Sequence, residues 1–389
     1  MLFHNLNIAG LLSFGPQGID LPLQQLNVFI GPNGSGKSNL LEVLSLLRAA
    51  PTRLPAPVKD FGGIGDWLWQ GTGVEGRATI NALIDNPGQT MRMRHTLEIG
   101  AHGDRFEVLD ERIENERPHD GQTDSYFFYR YQQGRPLLAD HAEPQRRLKR
   151  ESVRPEDSIL SQVRDPERYP GLYHLQDSYE RIRLYRNWTF GTGAPGRRQQ
   201  GSTGSGDILA DNGENLTLVL NRIRNSPARK ELLDSLQVLM EGTIDIRLDV
   251  SDGNIQLMLE ESTDRPPIPA SRLSDGTLRY LYLVAALLQP IVPSLIAIEE
   301  PELGLHPDLM HHVCRLLLAA SRRTQLIVTT HSRDIVDALG EAPESLIICE
   351  RHDGQSVFER ANPEQLKAWL ENYTLGGLWS DGVLGGNRW

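Results

Sequence analysis

Hydrophobic positions follow two rhythms along the chain, separated by a long polar middle. Leu26 to Ile30 (LNVFI) is a short apolar run ending in a glycine-rich turn. The following SNLLEVLSLLRAA carries leucines at helical spacing over too many residues for a strand. The pattern predicts strand, loop, helix. Towards the other end, Leu295 to Glu299 (LIAIE) and Gln325 to Thr330 (QLIVTT) are nearly continuous apolar runs, as in parallel strands covered on both faces. A helix is expected between them, from about Pro307 to Ser321. These pieces form one doubly wound α/β head.

From about Gly76 to Ile113 the residues alternate in character (RATINALI, MRMRHTLEI, RFEVLDERI) and predict antiparallel strands. Residues from roughly Pro118 to Gly213 are polar, Arg-rich and Gly-rich, with GTGAPGRRQQGSTGSGD the most linker-like stretch. A helical pattern returns at Glu214 to Met240. After it, DIRLDV and NIQLMLE read as a hairpin closed by Asp252-Gly253. No heptad run is long enough for an extended coiled coil, and no internal repeat is visible. The expected organisation is an N-terminal lobe over 1–75, a second sheet with an inserted region over 76–270, and a C-terminal lobe over 271–389.

Composition changes this picture little. The 389 residues are 39% hydrophobic and 23% charged, with no apolar run of bilayer length. The opening MLFHNLNIAG lacks the basic start and cleavage site of a signal peptide, so a cytoplasmic protein is expected. Cys314 and Cys349 lie in apolar runs, which suits a reduced compartment and no catalytic role. A net charge of −11 gives no global field for nucleic acid, so any DNA contact must be local. The cations are five Lys and thirty-five Arg, a skew that a GC-rich genome explains better than a demand for phosphate pairing.

The chemistry concentrates in a few segments. Gly31-Pro32-Asn33-Gly34-Ser35-Gly36-Lys37-Ser38 fits G-x-x-x-x-G-K-S at every fixed position and joins the predicted strand to the predicted helix. Glycines let successive N–H groups of such a loop point inward at a phosphate, and the helix adds its positive end. Asn33, Gly34, Ser35 and Gly36 would wrap the phosphates, Lys37 would reach the β- and γ-phosphates of ATP, and Ser38 would ligate Mg²⁺. Gly71-Thr72-Gly73-Val74-Glu75-Gly76 and Gly191-Thr192-Gly193-Ala194-Pro195-Gly196 also match G-x-G-x-x-G but join no strand to a helix, and read as ordinary loops.

Leu295 to Glu302 (LIAIEEPE) is an apolar strand delivering carboxylates at its C-terminal end, the edge where open α/β sheets bind ligands. Glu299 would hold Mg²⁺, and Glu300 would orient or deprotonate the attacking water. Leu273-Ser274-Asp275-Gly276-Thr277 precedes the helical run LRYLYLVAALLQP, so Ser274 is expected to cap a helix with its positive end exposed. Standing alone, that segment is equally an ordinary capped helix. His306, His311 and His312 lack a metal-binding spacing and read as loop and helix residues.

The LSDGT segment resembles the LSxGx signature of ABC ATPases. Met1 to about Leu47 and Ser271 to Ser332 together resemble the RecF-like and SMC-like ABC ATPases, particularly predicted ATPases grouped with the OLD family. The tail from Leu375-Gly376-Gly377-Leu378-Trp379 to Gly385-Gly386-Asn387-Arg388-Trp389 is similar to that of a compact bacterial subgroup. The resemblance implies a P-loop NTPase head of ABC type, with a mostly parallel core sheet, an antiparallel second sheet and an inserted helical or irregular middle. It also implies ATP and Mg²⁺ as cofactors. Ser274 and Gly276 would bind the γ-phosphate of a nucleotide held by the opposite subunit, so a homodimer, or a higher multiple, would complete each site. His331 in Thr329-Thr330-His331-Ser332 takes the position of the switch histidine on the γ-phosphate, and Gly304-Leu305-His306-Pro307 that of the D-loop.

The sequence departs from the family in four places. Glu299 replaces the usual aspartate, Leu12 stands where many relatives carry an arginine, and no Q-loop is clear, Gln70 being the best candidate. Only 58 residues follow His331, too few for the Toprim nuclease domain of full OLD proteins, so a nuclease is expected from another chain. The leading functional class is a regulatory ATPase controlling a separate effector, as in two-gene antiphage systems. A DNA-repair clamp using Gln145-Arg146-Arg147-Leu148-Lys149-Arg150, Arg181, Arg183 and Arg186 is the alternative, although that cluster reads better as a solvated face. A transporter subunit comes third, with no membrane contact predicted for the chain itself.

Overall fold

A computed structural model describes residues 1–73, 76–87, 91–132, 135–139, 146–147, 153–261 and 264–386. The chain forms two compact units. The first comprises Met1–Ile182, Ile347–Arg360 and Gly385–Trp389, and the second Arg183–Leu346 and Ala361–Leu384. Among the described residues no helix is long and apolar enough to cross a membrane.

An eight-stranded sheet dominates the first unit, in the order Ile19–Pro22, Phe3–Ala9, Arg77–Ile84, Met93–His102, Arg105–Asn115, Phe127–Gln132, Arg135–Leu138 and Arg146–Arg147. All of its pairings are antiparallel, as the alternation over 76–113 predicts. Along Arg77–Ile84 the buried residues are Ala78, Ile80, Ala82 and Ile84, one pleat apart, which turns a single apolar face inward. The strand Leu26–Ile30 is buried at all five positions, and lies beside Leu346–His352, which pairs antiparallel with Gln355–Arg360.

Order extends further into the polar middle than its composition predicts. In the first unit it carries the helices Ile159–Gln162 and Pro170–Glu180, tied to the sheet by a buried polar node. Glu111 accepts the Ser158 hydroxyl and the Ile159 N–H (2.9 Å), and lies 3.2 Å from His95 Nε2. The other ring nitrogen of His95 is 3.0 Å from the Tyr179 hydroxyl. Burial, with the charge of Glu111, pushes that hydroxyl well above the ordinary tyrosine range. A carboxylate this deep is tolerable because its partners are in place. Of the basic cluster, Arg146 and Arg147 form a short strand, whereas Gln145, Leu148, Lys149 and Arg150 lie outside the described residues, as do Val74, Glu75 and Asn387 to Trp389.

The second unit contains the adjacent strands Ile182–Tyr185, Leu295–Glu299 and Gln325–Thr329. The last two are parallel, in register from Leu295 opposite Gln325 to Glu299 opposite Thr329, so both chains deliver their next residues to the same edge. The helix Asp275–Leu288 is buried continuously from Tyr280 to Leu288 and packs against Leu216–Arg224, Arg229–Leu239 and Met310–Ser321. The helical pattern over 214–240 resolves into two helices. Pro227 sits between them, where a proline has no N–H to continue the ladder. Asp245 holds both halves, accepting from Arg224 twice at 3.0 Å and from Arg229 at 3.0 Å. The hairpin Asp245–Ser251 and Asn254–Glu260 turns at Asp252-Gly253, both left-handed (φ 51° and 78°).

The stretch read as most linker-like is pinned in this unit. Gly196 donates its N–H to the Tyr282 hydroxyl at 2.9 Å, and Gln200–Gly201 pairs with Asn254–Glu260. A side chain at Gly196 or Gly213 would collide with the Tyr282 ring system, so these glycines permit close packing rather than flexibility. In the tail, Leu375–Ser380 is a helix with Leu375, Leu378 and Trp379 buried, fastened by the Gly376 N–H on Asp337 Oδ1 at 2.6 Å.

Candidate nucleotide site

In the first unit the loop Gly31 to Gly36 leaves the buried strand Leu26–Ile30 and enters the helix Lys37–Ala49. Gly31, Gly34 and Gly36 have φ of 147°, 81° and 101°, where a side chain is strained. A Cβ at Gly31 would meet the Cys349 carbonyl, and one at Gly36 the Ser356 hydroxyl, so the loop can lie this tightly only with glycine. Lys37 is buried, and its ammonium folds back to donate to the carbonyls of Gly31 (2.7 Å) and Pro32 (3.0 Å). Ser13 Oγ accepts from Ser356 (2.6 Å) and Asn39 (2.7 Å), bracing the helix start. The helix has no side-chain cap, and the buried Ser35 hydroxyl has no hydrogen-bond partner among the described residues. Uncapped helix N–H groups and an orphaned hydroxyl fit an anionic ligand.

Gln70 donates to the carbonyls of Gly65 and Leu68 (2.9 Å) within its own turn, so its amide is engaged locally. Leu12 sits in a left-handed turn (φ 52°), its N–H donating to the Trp67 carbonyl at 2.6 Å.

The second unit carries the signature segment and the acidic edge. Ser274 caps the helix Asp275–Leu288, its Oγ accepting from the Thr277 N–H at 3.0 Å. A Cβ on Gly276 would stand 2.7 Å from the Gly304 carbonyl, so the predicted D-loop lies directly against the signature. Asp275 accepts from the Gly191 N–H (2.9 Å) and from Arg197 Nη2 (2.5 Å), and Arg197 also donates to the carbonyls of Leu273 and Ser271 (3.2 Å). The Arg197 guanidinium and the Gly191 N–H hold the Asp275 carboxyl below the usual range. Arg197→Ala removes the guanidinium donors, and is expected to lower the thermal midpoint by about 2–4 °C. An unchanged melting curve would show that the latch carries no weight.

At the strand end Glu299 is ion-paired to Arg186, Nε to Oε2, at 2.9 Å. Glu300 is left-handed (φ 48°), unusual for a residue with a side chain. Its backbone is clamped there, the N–H donating to the Thr329 carbonyl (2.9 Å) and its own carbonyl accepting from Arg279 (3.1 Å). This turn brings Glu300 Oε1 within 3.5 Å of His331 Nε2. Glu302 Oε1 accepts the His331 N–H at 2.6 Å, and burial pushes the Glu302 carboxyl up despite that bond. Burial lowers the affinity of Arg279 for its proton, and its guanidinium lies 5.3 Å from the Phe190 ring centroid.

The structure thus brings together Ser274 with Thr277, Gly276 with Gly304, and Glu300 with His331. Sequence reasoning missed Arg197, Arg279 and Glu302, and offered Arg186 to DNA rather than to Glu299. Only Glu302, in the EEPE run, had a local signal. Of the arginines considered for DNA, Arg186 is on Glu299 and Arg181 Nη1 is 3.3 Å from Asp177. His306 Nδ1 is 3.2 Å from Asp308, while His312 Nε2 is 3.0 Å from Ser235 Oγ. Burial pushes the Cys314 thiol up to about 12, and that of Cys349 higher still.

Glycine loop, parallel core strands and antiparallel second sheet give the fold of an SMC-type P-loop ATPase head. More narrowly, the family described as "AAA domain, putative AbiEii toxin, Type IV TA system" matches residues 26–337, and the chain belongs to it. Among solved structures it is similar to an SmcHead bound to the C-winged helix domain of ScpA, at 15% identity and a TM-score of 0.58, over 95% of this chain and 100% of that one. The Pyrococcus furiosus Smc head domain with an extended coiled coil, bound to the C-terminal domain of ScpA, gives 14% identity and 0.56, over 95% and 98%. The Pyrococcus yayanosii Smc head domain with a coiled coil and joint gives 12% and 0.51, over 95% and 99%. At these identities the likeness is one of fold. No curated protein matches the chain.

Proposed function

We propose that the chain binds and hydrolyses ATP with Mg²⁺ in a site that two copies complete, and that this cycle controls a separate effector protein. The observation that carries the reading is the edge where Glu300, in a left-handed backbone, meets His331 at 3.5 Å. Strain held at one carboxylate beside an imidazole suits a group that must aim at a water molecule. The N–H groups of Asn33, Gly34, Ser35 and Gly36 would wrap the phosphates, and Lys37 would exchange the carbonyls of Gly31 and Pro32 for phosphate oxygens. Ser38 and Glu299 supply oxygen donors suited to Mg²⁺, which when bound would neutralise charge on the phosphates. Glu300 would take up the proton of the attacking water, and His331 would steady that carboxylate and face the γ-phosphate.

Ser274 and Gly276 would close on the nucleotide of the partner copy. Their support is chemical: a capped helix start, with Gly276 held free of any side chain. Ser274→Arg tests this. The variant is expected to bind ATP as a single head, yet to lose ATP-dependent dimerisation and at least about a hundredfold in turnover. Normal hydrolysis by Ser274→Arg would defeat the shared site.

Effector control in antiphage defence rests on the family's toxin–antitoxin description and on the solved Smc heads that carry a bound ScpA domain. In this reading residues 76–270 would be the docking region, a nuclease is one candidate effector, and the complex works in the cytoplasm. Clamping of DNA draws no support from a net charge of −11 or from Arg181 and Arg186, both paired to carboxylates.

A further inference from the structure

Arg186 stands one residue beyond the strand Ile182–Tyr185, the neighbour of the strand that ends at Glu299. Its backbone is fixed on both sides. The Tyr185 hydroxyl donates to the Leu209 carbonyl at 3.1 Å, and Trp188 stacks on Tyr282 with ring centroids 5.1 Å apart. The arginine side chain reaches Glu299, Nε to Oε2, at 2.9 Å. Both side chains are mostly shielded, at 18% and 19% exposure, so the pair is weakly screened and worth more than a surface contact.

Three carboxylates, Glu299, Glu300 and Glu302, crowd this edge, and the cationic groups facing them divide the work. Arg279 binds the Glu300 carbonyl, and its charge acts on Glu300 and Glu302. His331 faces Glu300. Arg186 is ion-paired to Glu299, the carboxylate given above to Mg²⁺. We propose that Arg186 is a built-in counter-ion for Glu299, holding the metal-binding carboxylate neutralised until Mg²⁺ displaces the guanidinium. The inference rests on the ATPase reading above and deepens it. Metal binding at Glu299 would have to break this ion pair, which disfavours Mg²⁺ without the added charge of a nucleotide's phosphates.

The test compares the Kd of a non-hydrolysed ATP analogue in EDTA and in Mg²⁺, since the ratio of the EDTA value to the Mg²⁺ value isolates the metal's contribution. Removal of the competing cation in Arg186→Gln is expected to raise that ratio about tenfold, with metal-free binding little changed. Arg186→Lys, which keeps the charge on a flexible stem, should fall between the two. Glu299→Gln should bring the ratio near unity, and adding Arg186→Gln to it should change nothing further. A ratio that is unchanged or smaller in Arg186→Gln overturns the counter-ion, because the arginine would then be a structural staple or a phosphate ligand. Lys37→Ala separates this failure from failure of the parent reading. Loss of binding there beside an unchanged Arg186→Gln ratio leaves the nucleotide site standing without its counter-ion. Undiminished binding by Lys37→Ala overturns both.

Discussion

Replacing Glu300 by glutamine is expected to slow ATP turnover by about a hundredfold or more while ATP still binds. Glutamine matches the carboxylate in shape, and it leaves the clamps on the backbone untouched, since the Thr329 carbonyl and Arg279 engage main-chain atoms. What is lost is the anionic oxygen 3.5 Å from His331, and with it the capacity to accept a proton from water. ATP that binds without being consumed should hold two copies together, so Glu300→Gln with ATP is expected to run as a dimer in light scattering. Phosphate release provides the other readout. Unchanged hydrolysis would move the base to another residue, and a variant that cannot bind ATP would show that Glu300 serves binding rather than chemistry.

Lys37→Ala carries the second large effect, a loss of about a hundredfold or more in ATP affinity measured by calorimetry. The ammonium is buried at the loop and satisfied by the carbonyls of Gly31 and Pro32, so its site is already shaped for a cation. Truncation removes the charge meant for the phosphates and also takes a donor from the carbonyls of Gly31 and Pro32, the latter keeping the Ser35 N–H at 3.2 Å. A modest fall in thermal stability without nucleotide should therefore accompany the lost binding. Retained affinity would mean that the triphosphate is held elsewhere.

Features whose cause is local were legible in the sequence. The loop from Gly31 to Ser38 is fixed by spacing because only glycine accepts its left-handed positions and the contacts to Cys349 and Ser356. The cap at Ser274 and the turn at Asp252-Gly253 are likewise written in a few adjacent residues. The parallel pair Leu295–Glu299 and Gln325–Thr329 was visible because burial on both faces leaves no polar alternation.

What escaped depends on partners distant in the chain. Arg186 and Glu299 are 113 residues apart, and Arg197 and Asp275 are 78 apart, with no pattern around either arginine to announce the pairing. The glycines and arginines of the 191–207 stretch look like a linker because composition cannot distinguish a mobile glycine from one pressed against Tyr282. Pro227 was the overlooked local signal, breaking a helical pattern that otherwise runs smoothly from 214 to 240.

Mixing two inactive variants tests the shared site most directly. Lys37→Ala keeps an intact signature, and Ser274→Arg keeps an intact phosphate loop. In a mixed dimer one site loses both groups and the other regains both. With random pairing, hydrolysis should return to about a quarter of the wild-type rate, half the dimers carrying one whole site of two. No activity in the mixture, with both variants folded and mixed dimers present, would contradict the claim that Lys37 of one copy and Ser274 of its partner grip the same nucleotide.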